Sequence, residues 1–200
     1  MAGFAMSAQL GFFHVTKRFG GHTVFENFTL ALPTGKVSCL MGPSGSGKTT
    51  LLRMLMGLER PDGGKISAIH PQSVVFQEDR LLEHLSAPGN LRMLTGRARQ
   101  ERGLELLDRL GLGDALDKPV RSFSGGMKRR VAIARALLAD YELLLMDEPF
   151  KGLDASAREQ AARIILDENA GRTLVLVTHD KVEASLLGAQ VFELPKVSVM

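Results

Sequence analysis

Eight consecutive residues restrict the fold more than any other stretch of the chain. Gly42-Pro43-Ser44-Gly45-Ser46-Gly47-Lys48-Thr49 fits G-x-x-x-x-G-K-[ST] and stands between an apolar run, 36–41, and a helical pattern, 50–58. Strand, glycine turn and helix in that order let backbone N–H groups face inward together, because residues without a Cβ take the dihedrals the turn needs and admit an anion closely. The helix that follows adds the positive end of its dipole. The spacing predicts a phosphate cradle built from these eight residues, with Thr50 next in the helix. Lys48 would reach the β- and γ-phosphates of a nucleotide, and the Thr49 hydroxyl would hold Mg²⁺.

A second cluster lies further along. Leu143-Leu-Leu-Met146 runs into Asp147-Glu148-Pro149, two acids at the carboxyl end of a buried strand, where open α/β sheets hold their ligands. Asp147 is expected to support the Mg²⁺ shell. Glu148, one residue on, is expected to point to the other side, toward a γ-phosphate, where it orients and deprotonates an attacking water as general base. Pro149 stops the strand. Ser124-Gly125-Gly126-Met127 opens a helix as an N-cap with a glycine turn, with Val131, Ala134 and Leu138 on one face and Arg129 and Arg130 on another. A serine-capped helix start backed by glycines is a second candidate anion site.

The remaining sequence predicts an α/β fold. Its 200 residues are one domain's worth, and 44% hydrophobic content with 24% charged residues excludes disorder as the main state. The apolar runs 36–41, 73–76, 142–146 and 173–178 are continuous rather than alternating, which indicates a mainly parallel sheet covered on both faces. Before the third of these come two stretches, 11–14 and 24–32, that predict a small antiparallel β layer, and a charged helical insert over about 80–135. Residues 1–13 read as a strand with a loose leader that lacks the charged start of a secretory signal. A net charge of +3 without like-charge blocks gives no electrostatic case for nucleic acid. The one cysteine, Cys39, excludes a disulfide framework and a CxxC zinc site, and no apolar run reaches the ~18 residues a membrane span needs.

Taken in order, the loop 42–49, Gln77 after an apolar strand, Ser124-Gly-Gly-Met127, the 143–147 strand with Glu148, Gly152-Leu153-Asp154 and His179 after 174–178 resemble the ATP-binding cassette (ABC) ATPases over nearly the whole chain. The resemblance implies a P-loop NTPase core forming a single nucleotide-binding domain over 1–200, and hydrolysis of ATP with Mg²⁺. It implies that Phe19 stacks on adenine, that Gln77 contacts Mg²⁺ and the water, that His179 touches the γ-phosphate and holds the water with Glu148, and that Asp154 reaches a partner subunit. Two chains are expected to pack head to tail, with each nucleotide between one chain's loop and the other's Ser124-Gly125-Gly126.

Within the family the motifs look most like bacterial import cassettes of the nitrate, sulfonate and taurine type. That implies a peripheral homodimer on the cytoplasmic face of the cell membrane, a separate integral membrane permease and, indirectly, a solute-binding protein. Leu81, Leu82 and Leu85 are expected at the permease groove. The alternative is a non-transport cassette acting on nucleic acid or ribosomes, but the stretch from Lys48 to Ser124 has no room for the long coiled coil of DNA-repair members. A small-molecule P-loop kinase would have no use for Ser124-Gly-Gly. Phe123 and Met127 depart from the family's usual leucine and glutamine. The segment from Lys48 to Gln77 is short, so the β layer should be trimmed there. With Met200 soon after His179, a shortened last helix and strand and no regulatory C-terminal domain are expected.

Overall fold

Strands that are aliphatic at every position must be buried on both faces, and that requirement organises the molecule. The computed structural model describes residues 10–195. Along the chain come β1 (Leu10–Phe19), β2 (His22–Leu32), β3 (Val37–Met41), α1 (Lys48–Leu55), β4 (Gly63–Ser67) and β5 (Gln72–Val75). There follow α2 (Ala87–Thr95), α3 (Gln100–Arg109), α4 (Gly125–Leu138), β6 (Leu143–Asp147), α5 (Ala155–Asn169), β7 (Thr173–Val177), α6 (Lys181–Leu186) and β8 (Gln190–Glu193).

Five strands form a parallel sheet in the order β5-β6-β7-β3-β8. Its side chains divide by parity between two cores, as the two-residue period of a strand requires. Cys39, Met41, Leu144, Met146, Leu174 and Leu176 face the helices α4 and α5. Leu40, Leu143, Leu145, Val175 and Val177 face α1 and the antiparallel sheet β2-β1-β4, whose Leu10, Phe12, Val15 and Phe25 complete that core. Cys39 is a free, fully buried thiol, pushed up to about 12 chiefly by burial. Parallel strands all deliver their carboxyl ends to one edge, and there the loop 42–49, Gln77, Asp147-Glu148 and His179 meet.

Several boundaries differ from expectation. The antiparallel strands are longer than 11–14 and 24–32, because the two-residue Gly20-Gly21 turn lets β1 and β2 pair out to Phe19 and His22. Of the strand with a loose leader expected over 1–13, residues 1–9 lie outside the described residues. The short segment after α1 still supplies one strand of that layer, β4, paired with β1. The helix expected over 50–58 starts two residues earlier at Lys48 and stops at Leu55, short of Gly57. Helices α2, α3 and α4 pack on one another, and α4 also crosses β5 and α5. Val131, Ala134 and Leu138 are buried as expected, yet Ala132, Ile133 and Leu137 are buried too, so α4 is buried on more than the one face. Arg129, expected on a separate polar face, is only 3% exposed.

Candidate functional site

The cradle forms as its composition requires. Gly47 caps α1 in the left-handed region at φ 86°, and a Cβ there would stand 2.4 Å from the Phe25 ring, so both conformation and packing exclude a side chain. The first turn of α1 carries no acidic residue, which leaves its N–H groups and dipole free for an anion. Lys48 folds back over the turn: its Nζ donates to the carbonyl oxygens of Gly42 at 2.7 Å and Pro43 at 2.8 Å. The ammonium is thereby held at the mouth of the loop.

Four strand ends converge on this turn. A cavity of about 460 Å³ is lined by Gly42, Ser44, Gly45, Gly47, Lys48, Thr49 and Thr50 from β3 and α1, by Gln77 beyond β5, by Asp147 and Glu148 at the end of β6, and by Val177 and His179 at the end of β7, with Val24 closing one side. Pro43 and buried Ser46 shape the turn but do not line the cavity.

Asp147 is buried, and desolvation raises its carboxyl above the usual range, with the charge of Glu148 adding to the rise and Thr49, Arg129 and Lys48 opposing it. Strand alternation predicts Glu148 on the other side from Asp147; instead both line the cavity. The reason is local: Glu148 leaves the strand with φ 48° while its N–H still donates to the Val177 carbonyl at 2.9 Å. A left-handed residue without a glycine is strained, and two anchors hold this one. The second is its side chain, whose Oε1 lies 2.9 Å from His179 Nδ1. That bond, and the carboxylate charge behind it, raise the His179 pKa.

The turn that carries His179 is fixed on both sides. Buried Thr178 donates its hydroxyl to Glu183, and Asp180 accepts from Arg158 of α5 at 2.8 Å. Gln77 lines the cavity, and its backbone carbonyl accepts from Arg129. Sequence reading missed these supports. Arg129 had one available signal, since it shares a helical face with Ile133 and Ala136, both buried.

The other expected residues lie elsewhere. Phe19 does not line the cavity; it is at the end of β1, 43% exposed, with Lys17 Nζ 4.6 Å from its ring centroid, so it is not a core phenylalanine. Ser124 caps α4 by accepting from Met127 N at 3.2 Å and is exposed with Gly125. Gly126 packs so closely on the next motif that a Cβ would stand 2.9 Å from the Gly152 carbonyl oxygen. Asp154 caps α5, accepting from Ala157 N at 2.8 Å. Ser124-Gly125-Gly126 and Gly152-Leu153-Asp154 therefore form a second, outward-facing cluster.

A third feature is a groove of about 370 Å³ on the α2 side of the sheet, where Phe76, Leu82, Met93 and Leu94 meet Asn90 and Arg135. Of the three leucines expected there, only Leu82 lines it. Leu81 packs against the core and Leu85 is half-buried at the start of α2, while Met93 and Leu94 supply the exposed apolar wall.

Comparison with known proteins agrees with this geometry. The chain is 41% identical over 197 residues, 95% of its length and 81% of the relative's, to the aliphatic sulfonates import ATP-binding protein SsuB 1 of Paracoccus denitrificans. It is 39% identical over 207 aligned residues, 94% of its length, to the Fe(3+) ions import ATP-binding protein FbpC of Photorhabdus laumondii subsp. laumondii, of which it spans only 59%. The dimeric structure of MJ0796, a bacterial ABC transporter cassette, superposes with a TM-score of 0.80 at 29% identity, covering 94% of this chain and 95% of that one. A family profile described as ABC transporter matches residues 25–151, the stretch holding the loop, Gln77, Ser124-Gly-Gly and Asp147-Glu148, and the chain belongs to that family.

Proposed function

We propose that the chain is the ATP-hydrolysing subunit of an importer, a homodimer that closes on two ATP molecules and drives a separate membrane permease. The observation that carries this reading is the convergence of Lys48, Thr49, Gln77, Asp147, Glu148 and His179 on one cavity. Phosphate oxygens bind the inward N–H groups of residues 44–49 and the Lys48 ammonium, with Thr50 one turn position deeper. An all-oxygen donor set of the Thr49 hydroxyl, the Asp147 carboxylate and the Gln77 amide suits Mg²⁺, which takes few protein ligands and completes its shell with phosphate and water. A bound Mg²⁺ supplies neutralisation of the charge that develops on the phosphate oxygens.

Glu148 accepts the proton of the attacking water, and His179, bonded to it, holds the water against the terminal phosphate. Phe19 offers an exposed face for adenine. Ser124, Gly125 and Gly126 of each chain cover the nucleotide of the other, and Asp154 stands beside that contact. The whole chain is one nucleotide-binding domain, with residues 80–135 as its helical subdomain.

The groove beside the Gln77 loop is the seat for a permease helix. Its wall of Leu82, Met93 and Leu94, with Met93 69% exposed, is apolar surface that a soluble monomer has no reason to present. No helix among the described residues is long and apolar enough to cross a membrane. The proposed place is therefore peripheral, on the cytoplasmic face, with a solute-binding protein acting through the permease.

The test is Glu148→Gln. Hydrolysis should fall by about 10²–10⁴ as the general base is lost, and size measurement in ATP should show a stable dimer that the wild-type chain forms only transiently. A variant that stays monomeric in saturating ATP overturns the sandwich.

A further inference from the structure

We infer that Arg129 is the positioning residue of Gln77, tying the helix that begins at Ser124 to the side chain that reaches the cavity. The inference rests on the proposed role of Gln77 and adds the element that sets it. Phe76 and Gln77 follow directly after β5, where the parallel ladder ends and their carbonyls have no strand partner. Arg129 occupies both: Nη1 donates to Phe76 O at 2.6 Å and Nη2 to Gln77 O. Its Nε faces Asp79 Oδ1 at 3.3 Å, an electrostatic contact without the alignment of a hydrogen bond.

One planar fork thus spans two consecutive carbonyls, which fixes the peptide planes on either side of the Gln77 Cα and so the direction in which its side chain leaves the backbone. Lysine would offer a single ammonium point and no fork. The contact is sealed from water, since Arg129 is 3% exposed, so no solvent molecule takes over the carbonyls when the guanidinium is removed. Six residues along α4, Arg135 grips the far side of the same loop, donating to Asp79 O at 2.9 Å and Arg80 O at 2.7 Å. The loop is bound to α4 at four carbonyls. The N-cap of that helix is Ser124, so a displacement of the Ser-Gly-Gly turn by a partner carries the Gln77 backbone with it.

The experiment measures steady-state ATP hydrolysis by the whole chain as wild type, Arg129→Lys, Gln77→Ala and the double variant, with thermal unfolding as a fold check. Arg129→Lys and Gln77→Ala should each lower kcat by about tenfold or more, the scale set by a misplaced reacting group, with KM for ATP within about threefold. The double variant should be no slower than Gln77→Ala alone within about twofold, because two residues acting through one group do not add. Losses that multiply, or Arg129→Lys at wild-type kcat while Gln77→Ala is impaired, overturn the inference alone. Gln77→Ala at full activity overturns the reading of Gln77 and the inference with it. Should Arg129→Lys lose its cooperative transition, Arg129→Gln repeats the test with an amide donor, and loss of folding in both makes Arg129 a purely structural residue and refutes the proposal.

Discussion

The cavity around Lys48 and the turn at Ser124-Gly125-Gly126 are both helix N-termini with glycines and free N–H groups, yet they are finished to different degrees. The first is enclosed by side chains from four strand ends of its own chain. The second is exposed at Ser124 and Gly125 and packs through Gly126 on Gly152 and Leu153. A single chain can therefore order one anion site fully and the other by half. On the proposed reading, the difference assigns nucleotide affinity to the monomer and hydrolysis to what a second copy brings.

The largest expected effect tests the finished site. Lys48→Ala removes the ammonium that now spans the Gly42 and Pro43 carbonyls, and nucleotide affinity should fall by about a hundredfold or more, as loss of a preorganised phosphate donor does. Isothermal titration with a non-hydrolysed ATP analogue measures it. Retained affinity would mean that the enclosed cavity is not where the nucleotide sits.

Gly125→Glu tests the unfinished site and should separate stability from activity. A Cβ at Gly125 meets nothing within 4 Å, and the first turn of α4 holds no acidic residue, so a carboxylate there favours the helix dipole by about 0.3–1 kcal/mol. The melting temperature should hold or rise and monomer affinity for ATP should stay unchanged. Hydrolysis should drop by about tenfold or more, because the new charge repels a partner's terminal phosphate. Equal ATPase rates in variant and wild type would make the two helix starts functionally unequal and Ser124 a mere cap.

What was legible in the sequence follows the same division. The loop, Asp147 and the core strands are local patterns whose chemistry needs no distant partner, and the fold places them as their spacing implies. Strands β4 and β8 carry no apolar run of the kind that marks a buried strand, being short and half-buried or exposed, and a shortened last strand is expected only from the family resemblance. Arg129 was misplaced because its partners, the carbonyls of Phe76 and Gln77, lie more than 50 positions earlier, and a charge in a helix reads as solvated until such a partner is known. The reversal at Glu148 was hidden for another reason: its φ of 48° is imposed by the Val177 and His179 contacts and not by a glycine.

Phe19 sharpens the comparison from outside the cavity. Its exposed ring, with the Lys17 ammonium against it and that ammonium anchored on Glu59 at 2.7 Å, is an aromatic platform that touches no part of the phosphate cradle. Phe19→Ala should weaken ATP by about fivefold to tenfold, the ~1–1.5 kcal/mol of a stacking contact, and leave inorganic triphosphate unaffected. Equal losses for both ligands would show that the ring shapes the cradle and does not recognise the base.

The smallest effect concerns the bond between Glu148 and His179. The hydrogen bond and charge of Glu148 raise the His179 pKa above its ordinary 6.5, so the imidazolium persists to higher pH in the folded chain than in the unfolded one. Any stabilisation from this pair is complete below the unfolded value and is lost as pH rises through the raised folded value. Glu148→Gln removes the carboxylate charge and leaves only a neutral amide acceptor, and should return the His179 titration, followed by NMR of the imidazole protons, toward the ordinary range. His179 is 79% exposed at its side chain, so the shift reports the carboxylate partner and not burial. An unchanged midpoint would mean that the two side chains do not meet in solution, and the water would then have only one of its two holders in the free chain.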